Sequence, residues 1–94
     1  MEREQILKKI TQRLKKEGAR RVVMFGSYAR HEEKSQSDID IIVQFSRPKG
    51  LLDMARIERE LSEEVRTKVD LLTEKSISPL IREQIRGEEV VLYG

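Results

Sequence analysis

Two kinds of segment alternate along this chain, and the alternation limits the folds that it can adopt. Segments with apolar residues at helical spacing, such as 1–17 and 51–65, are separated by short apolar, β-branched segments typical of buried strands. The segments with strand composition are 20–25, 38–45, 68–74 and 88–93. The resulting order, α-β-α-β-α-β-α-β, indicates an α/β protein in which helices pack on a sheet of about four strands.

Capping residues mark where several of the helices begin and end. Gly18 follows the first helix as its stop signal. Ser78 and Pro79 are typical of a helix N-cap and first helical position, and Gly87 ends that helix. A further short helix is predicted over 27–33, followed by a loop.

Length and composition exclude several kinds of site. The chain has 94 residues, enough for one modest core, and we expect a single domain over 1–94. It has no cysteine, which excludes disulfides and thiolate metal sites, and His31 is its one histidine, which excludes a His-rich zinc cluster.

Charge and hydropathy narrow the choice of partners. The 19 basic and 17 acidic residues are interspersed, for a net charge of +2, which argues against a surface for direct nucleic-acid binding. No apolar run approaches the ~18–20 residues needed to span a bilayer, and the amino terminus is a charged helical segment rather than a signal peptide. We therefore expect a cytoplasmic protein without a membrane partner.

Two aspartates interrupt the apolar strand 38–45. Asp38 and Asp40 have the i, i+2 spacing that places both side chains on one face, while Ile39 and Ile41 point to the other. A divalent cation would relieve the repulsion between the two carboxylates, and their oxygens suit Mg²⁺ or Mn²⁺. Asp70, in another apolar strand, adds a third acid. The alternative is that Asp38 and Asp40 are only the solvent face of an amphipathic strand.

A glycine–serine corner connects the first strand to the next segment. Gly26 permits close approach of phosphate oxygens to the backbone, and a helix start at Ser27 would offer free N–H groups. The Ser27 hydroxyl and the Arg30 guanidinium can add further contacts. Equally, these residues could form an ordinary glycine turn with a serine N-cap.

The joint pattern of strand, Gly-Ser, Asp-x-Asp strand and later strand Asp resembles a known family. The segment "GSYARHEEKSQSDIDIIV" resembles the signature of the minimal nucleotidyltransferase (MNT) domain, a branch of the DNA polymerase beta-like nucleotidyltransferases. The resemblance extends from the first helix to the last strand. One departure is His31, which stands where such proteins usually have a glycine.

The resemblance implies a fold, an activity and a set of roles. It implies a mixed sheet and Mg²⁺-dependent transfer of AMP from ATP to an acceptor hydroxyl, with release of pyrophosphate. Gly26 and Ser27 would bind the triphosphate, and Arg30, predicted above from its position in the turn, would add a positive charge. Asp38, Asp40 and Asp70 would bind metal and act in catalysis.

The resemblance also implies a partner. Free-standing MNT proteins resemble the antitoxin of HEPN–MNT toxin–antitoxin pairs, in which a tyrosine of the HEPN toxin is adenylylated. The alternative is a non-catalytic nucleotide-binding module that inhibits its partner by direct binding. A third reading, a nucleotidyltransferase acting on nucleic acid, is disfavoured by the mixed charge pattern.

Overall fold

The structure of the protein, a computed structural model, describes residues 1–34 and 36–94. No helix within these two ranges has both the length and the apolar composition needed to cross a lipid bilayer. The elements are α1 (Arg3–Lys16), β1 (Ala19–Phe25), β2 (Ile39–Phe45), α2 (Leu51–Val65), β3 (Val69–Thr73), a short 3₁₀ helix (Glu74–Ser76), α3 (Pro79–Ile85) and β4 (Val90–Tyr93).

The strands form one mixed sheet in the order β3-β2-β1-β4. β1 lies antiparallel to β2 and to β4, whereas β2 and β3 run parallel. A parallel pair needs a crossover connection, and α2 supplies it. The expected mixed sheet of four strands flanked by helices is therefore confirmed.

The two faces of the sheet are covered unequally. α1 and α2 pack on one face, where Ile39, Ile41 and Val43 of β2 are fully buried in the larger core cluster. The other face has a smaller cluster that includes residues beside and within α3. That cluster consists of Val23, Phe25, Ile42, Ile77 and Ile85. Because side chains alternate along β2, Asp40 lies on this less covered face.

The outer edge of β3 is closed by side chains rather than by another strand. The backbone N–H groups of three alternate β3 residues each donate to an oxygen of α2 or of the 3₁₀ helix. These bonds are Val69 N to Ser62 Oγ at 2.9 Å, Leu71 N to Glu58 Oε2 at 2.8 Å and Thr73 N to Ser76 Oγ at 3.0 Å. They hold β3 against its crossover helix and so fix the position of Asp70.

The boundaries predicted from capping residues are confirmed. Gly18 follows α1 with a left-handed φ of +96°, and Gly87 follows α3 with a φ of +85°. The Ser78 hydroxyl accepts a hydrogen bond from the N–H of Ile81 at 3.2 Å, and Pro79 is the first residue of α3.

The predicted short helix over 27–33 is wrong, because this segment forms only a single turn. The N–H of Glu32 donates to the carbonyl of Ser27 at 2.9 Å, and the N–H of His31 donates to that of Tyr28 at 3.3 Å. These bonds form a Schellman motif, which ends a helix. His31 takes the left-handed residue of that motif, with φ +57°. The described elements between β1 and β2 therefore include no helix.

Candidate active site

Asp40 and Asp70 face each other across the parallel strands β2 and β3. They are register partners, so their side chains project to the same face of the sheet. Asp38 lies one residue before β2 and two before Asp40, on the same side. The structure thus brings the three predicted acids together, although they are up to 32 residues apart in the chain.

The environment of Asp40 differs from that of a freely solvated carboxylate. Burial, then the negative charges of Asp70 and Asp38, raise the pKa of Asp40 to about 6. The nearby positive charge of Arg30 acts in the opposite direction. Burial beside two like charges is hard to reconcile with an ordinary solvent-facing strand residue, so the site favours the cation-binding interpretation of this pair.

Gly26 lies directly against Asp40. It follows Phe25, the β1 residue opposite Asp40 in the sheet, and has a φ of +78°. A Cβ atom at this position would overlap Oδ2 of the Asp40 side chain. Glycine is therefore needed here both for the backbone conformation and for the space that the Asp40 carboxylate occupies.

The turn after Gly26 presents backbone donors beside the acids. In the described part of the chain, the N–H groups of Ser27, Tyr28 and Ala29 have no backbone acceptor. Ser27 is half-buried. Successive unpaired N–H groups at the start of a turn form an environment that favours an anion. The corner that the sequence predicted as a phosphate site has suitable chemistry for one, even though no helix follows it.

Arg30 is placed beside this corner and is bound to two glutamates. Its Nε donates to Glu32 at 3.0 Å, and Nη1 donates to Glu88 at 3.1 Å. Hydrogen bonds to these two carboxylates raise the pKa of Arg30 above its usual value. Glu88 lies just before β4 and was missed by the sequence analysis, because nothing local shows that β4 pairs with β1.

Lys68 is a second residue that the sequence analysis missed. Its Nζ lies 3.9 Å from Oδ2 of Asp38 and 3.8 Å from Oδ1 of Asp70. The segment Lys68-Val69-Asp70 has the same i, i+2 spacing as Asp38 and Asp40. That repeated spacing was a signal that could have placed Lys68 on the face of the acids.

The side chains at this site fit a hard divalent cation by their chemistry. Asp38, Asp40 and Asp70 offer only carboxylate oxygens, which are the ligands that Mg²⁺ and Mn²⁺ prefer. As the side chains are placed, no three acidic or imidazole groups among the described residues converge as a ready-made metal site. The three aspartates therefore suit a divalent cation by their residue type and because they lie on the same face of the sheet.

Two neighbouring residues have roles apart from the acids. Tyr28 is buried in the larger core cluster, its carbonyl accepts from Arg3 at 2.6 Å, and the Arg3 guanidinium lies 5.7 Å from its ring centroid. Tyr28 therefore contributes to the packing of the fold. His31 is exposed, and its contribution is the left-handed turn.

Comparison with known proteins gives a consistent result. The model of the family "Polymerase beta, Nucleotidyltransferase" matches residues 8–94. The chain is 48% identical over 86 residues to a protein of Methanocaldococcus jannaschii named "Putative protein adenylyltransferase MJ0435", covering 92% of each sequence.

Solved structures show the same fold. One is described as a "putative minimal nucleotidyltransferase", with a TM-score of 0.77 and 34% identity over 96% of this chain and 95% of that one. Another belongs to a tri-AMPylated Shewanella oneidensis HEPN toxin in complex with an MNT antitoxin. It has a TM-score of 0.78 and 22% identity, covering 97% of this chain and 71% of that one, and at this identity it supports the fold alone. With acids, glycine corner and family match in agreement, the chain belongs to the polymerase beta nucleotidyltransferase family and is a nucleotidyltransferase.

Proposed function

We propose that this protein transfers AMP from ATP to a hydroxyl, a tyrosine in the first instance, of a HEPN-type partner toxin and so acts as an antitoxin. The observation that carries the proposal is that Asp40, which pairs with Asp70 across the strands, lies directly against Gly26. It sets carboxylates and a phosphate-type corner side by side. The M. jannaschii relative named as an adenylyltransferase supports the choice of reaction. The choice of partner is an analogy with the AMPylated toxin complex, whose antitoxin has the same fold.

Each part of the site has a task in this reaction. The backbone at Gly26 and the Ser27 hydroxyl bind and orient the triphosphate, and Arg30 offsets its charge. Asp38, Asp40 and Asp70 would hold Mg²⁺. When bound, Mg²⁺ supplies stabilisation of the charge that develops on the attacking and leaving oxygens.

Bond changes follow from this arrangement. The acceptor oxygen forms a bond to the α-phosphorus of ATP, and the bond from that phosphorus to the β-phosphate bridging oxygen breaks, releasing pyrophosphate. Asp70 lies on β3, which β2 separates from β1 and its glycine corner, and we expect the acceptor to approach the acids from the β3 side. It accepts the proton of the attacking hydroxyl or orients that hydroxyl for its loss.

The acceptor is expected to be brought by another protein. The elements of the described ranges 1–34 and 36–94 pack on one sheet, and we propose residues 1–94 as one minimal domain. The partner protein would bring its acceptor hydroxyl to the less covered face of this sheet, where the acids lie.

The proposal is tested by incubating the protein with Mg²⁺, isotope-labelled ATP and the HEPN-type protein encoded beside it. We expect mass spectrometry to show one or more AMP units on that partner, and none with the D38N/D40N double variant. An unmodified partner would contradict the proposed transfer. If the protein still inhibits that unmodified partner, the non-catalytic inhibition mode applies instead.

A further inference from the structure

Lys68 completes a group of four charged side chains on one face of the sheet. The hydrogen bond from Ile39 N to the Lys68 carbonyl, 2.9 Å, sets Lys68 beside Asp38 at the start of the parallel ladder. Asp40 and Asp70 are partners two residues further on. These two residue pairs place four side chains at the corners of a square. Three of the four are acids, and Lys68 is the fourth.

The Lys68 ammonium lies between two carboxylates, where a bridging cation would bind. It lies within 4 Å of one carboxylate from each side of the strand pair, Asp38 and Asp70. Such a cation reduces the repulsion that neighbouring carboxylates experience when the site holds no metal. The other nearby cation, Arg30, is bound to Glu32 and Glu88 instead.

The Lys68 contact can be broken at little cost. Its side chain is 68% exposed, and the two ion pairs are 3.8 and 3.9 Å long rather than tight hydrogen bonds. A flexible lysine in contact with water loses little when it swings away. The contact can therefore give way when an ion binds together with a triphosphate.

We propose that Lys68 is a resident counter-cation of the acid cluster, which a divalent ion must displace from Asp38 and Asp70 in order to bind. The inference rests on the proposed metal site. It predicts that Lys68 stabilises the metal-free protein and weakens binding of free divalent ions. Metal that arrives with a nucleotide is favoured, because the triphosphate supplies ligands and charge of its own.

Mn²⁺ titration of the nucleotide-free protein, followed by electron paramagnetic resonance of free Mn²⁺, tests this inference without any turnover. The test variant is K68M. The matched control is K8M, because Lys8 is an exposed lysine on α1 and its loss changes the net charge equally. Two exposed ion pairs are lost, so we expect K68M to bind Mn²⁺ about 3- to 10-fold more tightly than K8M.

A second readout is thermal unfolding in the presence of a chelator. We expect K68M to unfold at a lower temperature than K8M without metal, and this difference to shrink or reverse at saturating Mn²⁺. Measurable Mn²⁺ binding with equal affinity in K68M and K8M, or weaker binding in K68M, would overturn the inference while leaving the metal site in place. Failure of wild type, K68M and K8M alike to bind Mn²⁺ would overturn both the metal site and the inference.

Discussion

The Cα atom of Gly26 lies so close to the carboxylate of Asp40 that a methyl group on it would overlap Oδ2. The two residues come from different strands, at the point where β1 ends opposite the start of β2. The glycine corner and the acid pair are therefore one structural unit, and a substitution in either changes the position of the other.

Gly26→Ala is expected to disable the site beyond its effect on stability. Its backbone has a φ of +78°, so alanine there costs ~1–2 kcal/mol, and its Cβ also displaces Asp40. We expect AMP transfer to fall about 100-fold, as for other misplacements of reacting groups. Gly18→Ala is the control, because Gly18 has a φ of +96° with no atom near its added Cβ. Equal transfer rates in the two variants would contradict the proposed unit.

Asp40→Asn is expected to stabilise the metal-free protein while abolishing transfer. The pKa of Asp40 rises from an ordinary 3.8 to about 6 on folding, so its ionisation costs stability as pH rises through that window. After allowance for solvent screening we expect a gain of about 1 kcal/mol at pH 8 that vanishes near pH 4. Thermal unfolding with a chelator at both pH values measures it. A variant less stable than wild type at pH 8 would refute this assignment of the pKa.

Asp70→Asn is expected to separate binding from turnover. Asp70 lies on β3, which β2 separates from the glycine corner of β1, so we expect its contact to matter most in the transition state. We expect Mg²⁺-ATP affinity within a few-fold of wild type and a transfer rate lower by roughly 100-fold or more. Calorimetry and single-turnover transfer measure the two, with Asp53→Asn on the exposed face of α2 as control. Wild-type transfer in Asp70→Asn would show that Asp70 is only a polar strand residue.

Glu88→Gln is expected to strengthen ATP binding. Glu88 shares the Arg30 guanidinium with Glu32, and a triphosphate must compete with both. We expect a two- to three-fold lower dissociation constant at low salt, an effect that shrinks as added salt screens these exposed charges. Glu89→Gln removes the same charge one residue away and serves as control. Weaker ATP binding in Glu88→Gln alone would instead mean that Glu88 orients Arg30 for the phosphates.

His31→Gly is expected to stabilise the protein slightly. His31 takes the left-handed position of its turn at φ +57°, where a side chain costs about 1–2 kcal/mol. Glycine removes this strain but gains entropy when unfolded, so the net gain should be about 0.5 kcal/mol. His31→Ala keeps the strain and should not show the gain. Equal unfolding temperatures for the glycine and alanine variants would contradict this account.

Much of the fold could be predicted because its signals are local. Apolar spacing and capping residues, such as Ser78 with Pro79, depend on neighbours within a few positions and were sufficient to predict three helices and four strands. The segment 27–33 was misassigned for a related reason. The composition of this segment suits a helix. Whether the helix extends beyond one turn depends on where β2 begins, and pairing in the sheet sets that position.

The sequence by itself determined which residues could carry the chemistry: Asp38 and Asp40 share a face because strand side chains alternate, and Gly26 can take a positive φ because it lacks a Cβ. Only the tertiary structure decided that Asp70 faces Asp40, that Lys68 lies between two acids and that Glu88 binds Arg30. Strand order and register arise from burying both faces of the sheet at once, which couples residues far apart in the chain. Local periodicity contains no information about such pairs.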